Sequence, residues 1–580
     1  MRNEGGMWIE RIRKSVWILF LAIIGYLLIA SIFSTCYLGM IRYITDSGNF
    51  EYNFEHTFYI RDTWWLHFVV FFLFSLFLVF KKDLKVSRPY LTSFGVFFCI
   101  AAMLVYIVIA SQYYPASDQK RVMEIGMAFH HGDYSALETG NYLFKHPHQK
   151  GIVLYFQILS MLFGEANCMA FELVNAVWIL GAYILLTRLS RELFKKMKQN
   201  RGIETAAVCL LFVPYLFYSS YLYGTVVGEF LALLSFYMIL LYKRTQKWVY
   251  VLAGSVSLEI AIILKSNFQI FLIAVILYLI FGCIIAVKND KKLAGKNLIF
   301  IASLLICFGI GSAGMDSYLT ALNQGEKVEG VPMIAYVAMG LQDGKAAPGW
   351  YNGYNTGVYN ANNFDAEMAA KEAKENIAEI VSGYKKDITA SISFFVKKVS
   401  SQWNNPTFAS LQIMENREGK DGLKWIMSGN ARNVYIFLVN LIHTWILAGV
   451  FLFGVLRLKK GEWEETLLII TFIGGFMFHL VWEAKSTYSM PFFLLLLPLC
   501  ASGYSEWRTW MISQKNTINE IGWKSEQGKK LKRGGIITIA VILLICGISY
   551  TDIFSKIFAR NDDTGIFNTY TQDIVNQDEL

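Results

Sequence analysis

The stretch "GIVLYFQILSMLF", residues 151–163, is almost uniformly apolar yet only thirteen residues long. As a helix it would reach about 20 Å, at about 1.5 Å per residue. A hydrocarbon core of about 30 Å needs roughly 20 residues. The reading of this stretch decides the fold, because every crossing inverts the side of all later loops. Counted as a span, it would place "RELFKKMKQNR", residues 191–201, outside the cell. Short basic loops belong on the cytoplasmic side. The stretch therefore reads as a helix lying in, or dipping into, the outer interface.

Around it the chain is built for a bilayer. It has 580 residues, 55% of them hydrophobic and 17% charged. Soluble proteins carry about 25% charged residues. Mean hydropathy is +0.40. Apolar runs predict thirteen spans, at 15–38, 64–80, 91–112, 167–188, 204–219, 225–242, 248–264, 268–287, 297–315, 433–456, 466–481, 488–503 and 534–550. The expected class is an all-α polytopic membrane protein of the plasma membrane, in contact with membrane lipids on most sides. The first run follows Arg11, Arg13 and Lys14 and is too long for a signal-peptide core. It reads as a retained anchor.

Charge sets the orientation. With the N-terminus in the cytoplasm, cytoplasmic loops hold 31 Lys and Arg. The exterior segments hold 10 once the long loop 316–432 is set aside. Such a long loop barely obeys the charge rule. "KKDLK" and "KNDKKLAGK" then both lie inside. Both large polar segments, 113–166 and 316–432, face the exterior. The organisation expected is a two-span N-terminal addition (1–90), a transmembrane core with the first exterior loop (91–315), an exterior loop domain (316–432), a C-terminal bundle (433–550) and an exterior tail (551–580).

Several function classes drop out. The longest cytoplasmic loop, 504–533, is too short for a nucleotide-binding domain. The pattern GxxxxGK[ST] does not occur. Nothing suggests a nucleic-acid partner. The eight cysteines lie in or beside apolar runs and none forms a CxxC pair, which argues against a disulfide scaffold. No cofactor is expected.

The exterior segments carry the ionisable chemistry. Residues 117–151 hold four of the eight histidines and four carboxylates. Val122, Ile125 and Phe129 recur at helical spacing, predicting a short amphipathic helix on the membrane surface. Asp118 stands at its start, where a helix dipole favours a carboxylate. Helix capping alone would explain it. In the long loop, "GWYNGYNTGVYNANN" (349–363) reads as an irregular surface loop whose aromatic and amide groups also suit sugar hydroxyls. Asn363 is a predicted N-cap with Asp365 and Glu367 behind it. Ala369, Ala370, Ala373 and Ile377 form a stripe, Gly383 a break, and "ITASISFFVKKV" (388–399) a second helix.

One sequence of features resembles a known family. A span is followed by Asp118, by Asp133 fifteen positions on, then by "HPHQKGIVLYFQILSMLFG" (146–164) before the next span. This is similar to the first outer loop of GT-C membrane glycosyltransferases, particularly the bacterial protein-mannosyltransferase-like and aminoarabinose-transferase-like group (family 39-like). "SQWNNPTFASLQ" (401–412) and "WEAKSTYSMPFFLLLLPL" (482–499) look like segments of its Gram-positive members. The resemblance covers residues 91 to about 503. Two departures are visible. Asp118–Gln119 stands where the group has Asp-Asp or Asp-Glu. His146–Pro147–His148–Gln149 stands where it has Lys/His-Pro-Pro-Leu.

The resemblance implies an inverting sugar transfer from a polyprenyl-phosphate donor to an extracytoplasmic glycan, lipid or protein acceptor. Asp118 becomes the candidate base, since the acceptor hydroxyl must lose its proton during attack. Asp133, His146, His148 and Gln149 line the same loop as candidate substrate contacts. His130 and His131 add an HH pair, but HH and HxH spacings also occur in solvated loops, and no metal site is assigned. The leaving phosphate needs cations. "AIILKSNFQIF" places Lys265 and Asn267 at one outer turn, and "HLVWEAKSTYSMP" places Glu483, Lys485 and Tyr488 at another. Snorkelling would also explain a lysine at such a turn. Glu259, inside a span, has no assigned role. The rival readings are a lipid-linked oligosaccharide flippase and a surface-polysaccharide polymerase.

Overall fold

The computed structural model describes residues 4–44, 50–80, 89–195, 197, 201–287, 291–414, 417–427 and 429–521. The expected span 534–550 and tail 551–580 lie outside the described residues.

Helix α1 (Glu4–Phe33) runs straight into an antiparallel ribbon, β1 (Ser34–Ile44) and β2 (Phe50–Arg61). The first span therefore ends at Phe33, not at residue 38. Then come α2 (Trp64–Phe80), α3 (Pro89–Ser111), α4 (Ser117–His130), the one-turn α5 (Tyr142–Lys145) and α6 (Lys150–Phe163). α7 (Cys168–Leu193) and α8 (Arg201–Leu211) lead to a 3-10 segment, Val213–Ser220. α9 (Gly224–Thr245), α10 (Val249–Leu264), α11 (Gln269–Val287) and α12 (Lys291–Leu322) follow.

The long loop forms α13 (Met333–Gly340), α14 (Tyr354–Ala361), α15 (Ala366–Lys386), α16 (Ile388–Trp403) and α17 (Lys424–Met427). α18 (Gly429–Arg457), α19 (Thr466–Val481), α20 (Ser486–Leu494) and α21 (Leu496–Ile521) close the described chain. α15 departs from expectation at both ends. Asp365, not Asn363, is its N-cap, accepting from the Glu367 and Met368 amides. The helix also runs through Gly383 to Lys386.

Among the described residues, eight helices are long and apolar enough to cross a membrane, or ten if each of two bent pairs is one span. The bends are 63° between Gly202–Leu211 and Val213–Ser220, and 49° between Ser486–Leu494 and Leu496–Asn516. α2 and α10 are shorter apolar helices. The chain is a helical multi-pass membrane protein.

The geometry of α6 settles its reading. It has 14 residues, about 21 Å of helix. Ile152, Val153, Phe156 and Leu159 are buried, whereas Ile158, Met161 and Leu162 are exposed. The loop around it starts and finishes at one level. In the first turns of α7, the Glu172 carboxylate accepts from Ser111 Oγ (2.8 Å), Gln112 N (3.1 Å) and Tyr113 N (3.0 Å), all at the end of α3. Residues 112–167 thus leave and rejoin the bundle on the same side. Gly151 makes this docking possible: a Cβ there would lie 2.0 Å from the Ile263 carbonyl oxygen near the end of α10.

The ribbon is held by the long loop 316–432 on both edges. Cys36 N donates to Asn404 O (3.0 Å) and Thr57 N to Ala346 O (2.9 Å). Such pairing covers strand edges that would otherwise recruit other chains. Trp17 and Phe20 of α1 pack against Phe453 and Phe472.

Candidate functional site

The ends of several helices converge on one polar cavity. It encloses about 60 Å³ and is lined by His148, Gln149, Tyr223, Lys265, Asn267, Tyr336, Trp482, Glu483 and Tyr488, among others. Six of these are sequence candidates: His148 and Gln149 from the 146–149 turn, Lys265 and Asn267 from the 265–267 turn, and Glu483 and Tyr488 from the 483–488 segment.

Asp118 belongs to the same cluster. Ala116 is the N-cap of α4 and Asp118 lies in the first turn. Ser117 is held at φ +52°, a left-handed conformation that costs a non-glycine residue of order 1 kcal/mol or more. The Asp118 carboxylate is exposed and lies beside the Tyr142 phenol. It acts electrostatically on His146, Lys265, Glu483 and Lys485. Burial and then Asp118 push the Tyr142 phenol up, so it stays a hydrogen-bond donor.

Lys265 terminates α10 in extended conformation (φ −156°, ψ 115°). Gly224 brings α9 close beneath it: a Cβ there would meet the Leu264 carbonyl oxygen at 2.3 Å. The Tyr223 ring consequently sits 4.4 Å from Lys265 Nζ, and the Tyr488 ring 5.2 Å. These faces attract a cation. Burial, then repulsion from Lys485, lowers the Lys265 amine to about 7, against the pull of Glu483 and Asp118. Lys485 is held above its usual range, first by Glu55 and also by Tyr221, Glu483 and Asp118. Burial raises Glu483 to about 7.

Of the two histidines of the "HPHQ" turn, His148 lines the cavity and His146 lies against its Tyr336 wall. Pro147 opens a 3-10 turn at its first position, where a missing N–H costs nothing. His146 Nδ1 lies 2.9 Å from the Tyr336 hydroxyl. Burial lowers His146 to about 4 and His148 to about 3. At neutral pH both are uncharged, able to hydrogen-bond a ligand but not to neutralise it.

Asp133 and the HH pair are not brought to the cavity. Asp133 Oδ1 accepts from Ser135 N (3.0 Å) in its own turn, and that backbone bond lowers its carboxyl. His131 pairs with Glu165. Among the described residues, no group of three or more His, Cys, Asp and Glu side chains converges as a metal site would. Glu259 packs against Gly311, and neither of its oxygens has a partner.

Several members of the site escape the sequence reading. Tyr142, Tyr223, Tyr336 and Trp482 are unmarked among so many aromatic residues. Tyr336 and Trp482 stack with ring centres 5.4 Å apart. Arg417 donates to Gln119 Oε1 (3.5 Å). Burial lowers its guanidinium to about 10, while Tyr221 and Glu172 act in the opposite direction. Gln119 stands where the resembled family has its second acid, and here it faces a cation.

No family model matches the sequence, and no curated protein matches it. Among solved structures, the chain is similar to an archaeal oligosaccharyltransferase, AglB from Archaeoglobus fulgidus, in complex with an inhibitory peptide and a dolichol-phosphate. That match has 14% identity and a TM-score of 0.42, covering 83% of this chain and 57% of that one. The apo form of the Archaeoglobus fulgidus oligosaccharyltransferase matches at 12% identity and a TM-score of 0.41, covering 83% and 57%. A form tethered to an acceptor peptide matches at 12% and 0.39, covering 81% and 56%. The chain thus spans under two thirds of the length of these structures.

Proposed function

We propose that this chain is a GT-C-type glycosyltransferase, akin to the protein-mannosyltransferase and aminoarabinose-transferase group, working at the outer face of the plasma membrane. It would move one sugar from a polyprenyl-phosphate donor to an extracytoplasmic glycan, lipid or protein. The observation that carries this reading is the meeting of Asp118 with Lys265 and Lys485. A carboxylate on a short helix outside the spans lies within electrostatic reach of two lysines from separate interhelical turns, of which Lys265 lines the polar cavity.

The chemistry follows from those groups. Asp118 takes the proton of the acceptor hydroxyl as its oxygen bonds to the anomeric carbon. The bond from that carbon to the donor phosphate oxygen breaks, and the electron pair stays on the phosphate. Lys265 and Lys485 stabilise the added charge, with Asn267 and the neutral His148 as hydrogen-bonding partners. Attack opposite the departing phosphate inverts the anomeric centre. Tyr142 fixes the orientation of the base.

The test is transfer by the purified protein in lipid vesicles supplied with polyprenyl-phosphate sugars, followed by mass shift of the acceptor. Lys265→Ala and Lys485→Ala should each lower the rate by about 10²–10³, the effect of removing one stabilising donor. Normal transfer by both variants would end the phosphate assignment. Sugar appearing across the membrane without a new covalent product would favour a flippase instead.

A further inference from the structure

The N-terminal ribbon reaches the site. Glu55 on β2 lies with Oε1 3.9 Å from Lys485 Nζ. Gln412 Nε2 donates to the same oxygen at 2.7 Å. Gln412 closes the "SQWNNPTFASLQ" segment, so the exterior loop holds the acid in place. The strand around Glu55 is fixed as well. Thr57 N bonds Ala346 O, and the Tyr59 hydroxyl donates to Lys397 O (3.1 Å). Cys36, Leu38 and Tyr59 pack with Trp350, Ala409 and Ala484. Ala484 itself sits between Glu483 and Lys485, and its N–H donates to Gly349 O (2.8 Å).

We infer that Glu55 is a positioning residue of the transfer site, the counter-ion that orients Lys485 and keeps it charged. This rests on the reading of Lys485 as a phosphate-binding group. A half-exposed ion pair at 3.9 Å adds little to stability, so folding alone gives no account of it. Its other electrostatic neighbours are Glu483, Tyr221, Asp118 and Lys265. Lys265 repels a second cation, and Glu483, shifted to about 7, is only half-ionised near neutrality. Glu55 is thus the acid whose loss Lys485 would feel most. The segment that looks like an addition to a catalytic core contributes a group to it.

Two readouts separate this inference from the function it builds on. The first is trace acylation of the purified, full-length protein across pH, with Lys485 modification read by mass spectrometry. Glu55→Gln keeps the shape and should lower the half-labelling pH of Lys485 by about one unit or more, the effect of losing a close opposite charge. An unchanged labelling curve would overturn the pairing, whatever the protein transfers. The second readout is sugar transfer at about pH 8, near one unit above neutrality. Lys485 stays charged at this pH in either variant, so the readout is its placement: Glu55→Gln should lose about tenfold through misorientation of the ammonium, and Glu55→Asp should recover part of it. A shifted labelling curve with undiminished transfer would reduce Glu55 to a surface ion pair and overturn its positioning role. A wild-type protein that transfers no sugar would remove the function reading, while the labelling curve still decides the ion pair.

Discussion

The Tyr142 phenol neighbours the Asp118 carboxylate, whose negative charge, after burial, holds the phenol above its usual range. Helix capping no longer accounts for this acid, because Ala116 holds the cap position of α4. What remains for the helix is a dipole interaction of about 0.3–1 kcal/mol. Asp118→Asn keeps the size and can still accept from Tyr142. As a hypothesis, transfer should fall by about 10²–10⁴ while thermal stability changes by less than about 1 kcal/mol. Rate and melting measured on the same preparation check both halves. An Asn variant with full activity would remove Asp118 from the mechanism.

Under the proposed mechanism, Lys265 gives the reaction a pH signature. Its amine is lowered to about 7 in the free site, so it is charged below that pH and neutral above it. Phosphate capture needs the charged form, and kcat/KM reports groups of the free enzyme. We predict that kcat/KM falls as pH rises through about 7. The kcat profile should break at higher pH, because bound phosphate stabilises the ammonium. Lys265→Arg, whose side chain stays charged, should lose the alkaline limb. An unaltered limb in that variant would assign it to another group.

Docking of α6 depends on the absence of one carbon. Gly151→Ala would set a Cβ 2.0 Å from the Ile263 carbonyl oxygen. We predict a destabilisation of at least about 1–3 kcal/mol, the range for overpacking, read by thermal unfolding in detergent. Gly309 of α12 has open space around its missing Cβ, and Gly309→Ala should unfold no earlier than wild type. Equal melting of the two variants would contradict the tight contact.

Sidedness is open to direct measurement. In a cysteine-free background, single cysteines at the exposed positions Thr139, Gly357 and Lys247 would be probed with an impermeant thiol reagent on intact cells. Positions 139 and 357 should react and 247 should not. The opposite pattern would put the site in the cytoplasm and exclude the proposed donor face.

The sequence reveals some parts of this molecule better than others, and the reason is physical. Hydropathy locates long apolar helices within a few residues, because the bilayer demands length and apolarity together. It cannot distinguish strand from helix over a short apolar run, and so "STCYL" was joined to the first span although it begins β1. The site lysines stand out because a charge at a short turn between apolar runs is rare. Asp118, His146 and His148 stand out through their spacing. Tyr223, Tyr336 and Trp482 do not, because an aromatic residue at a membrane surface needs no special explanation. Glu55 and Arg417 acquire meaning only when segments several hundred residues apart meet, which no local pattern encodes.

Lys398 is fully buried, and its amino group donates to the carbonyls of Gly340 and Trp482. Lifting α16 away from Trp482 would strip a buried nitrogen of both acceptors, at about 1–3 kcal/mol. The Tyr336–Trp482 stack would have to part as well. The long loop 316–432 is therefore a wall stitched to the rim, not a door hinged on it. A long-tailed donor would arrive sideways, sliding in along the lipid while that wall stays shut.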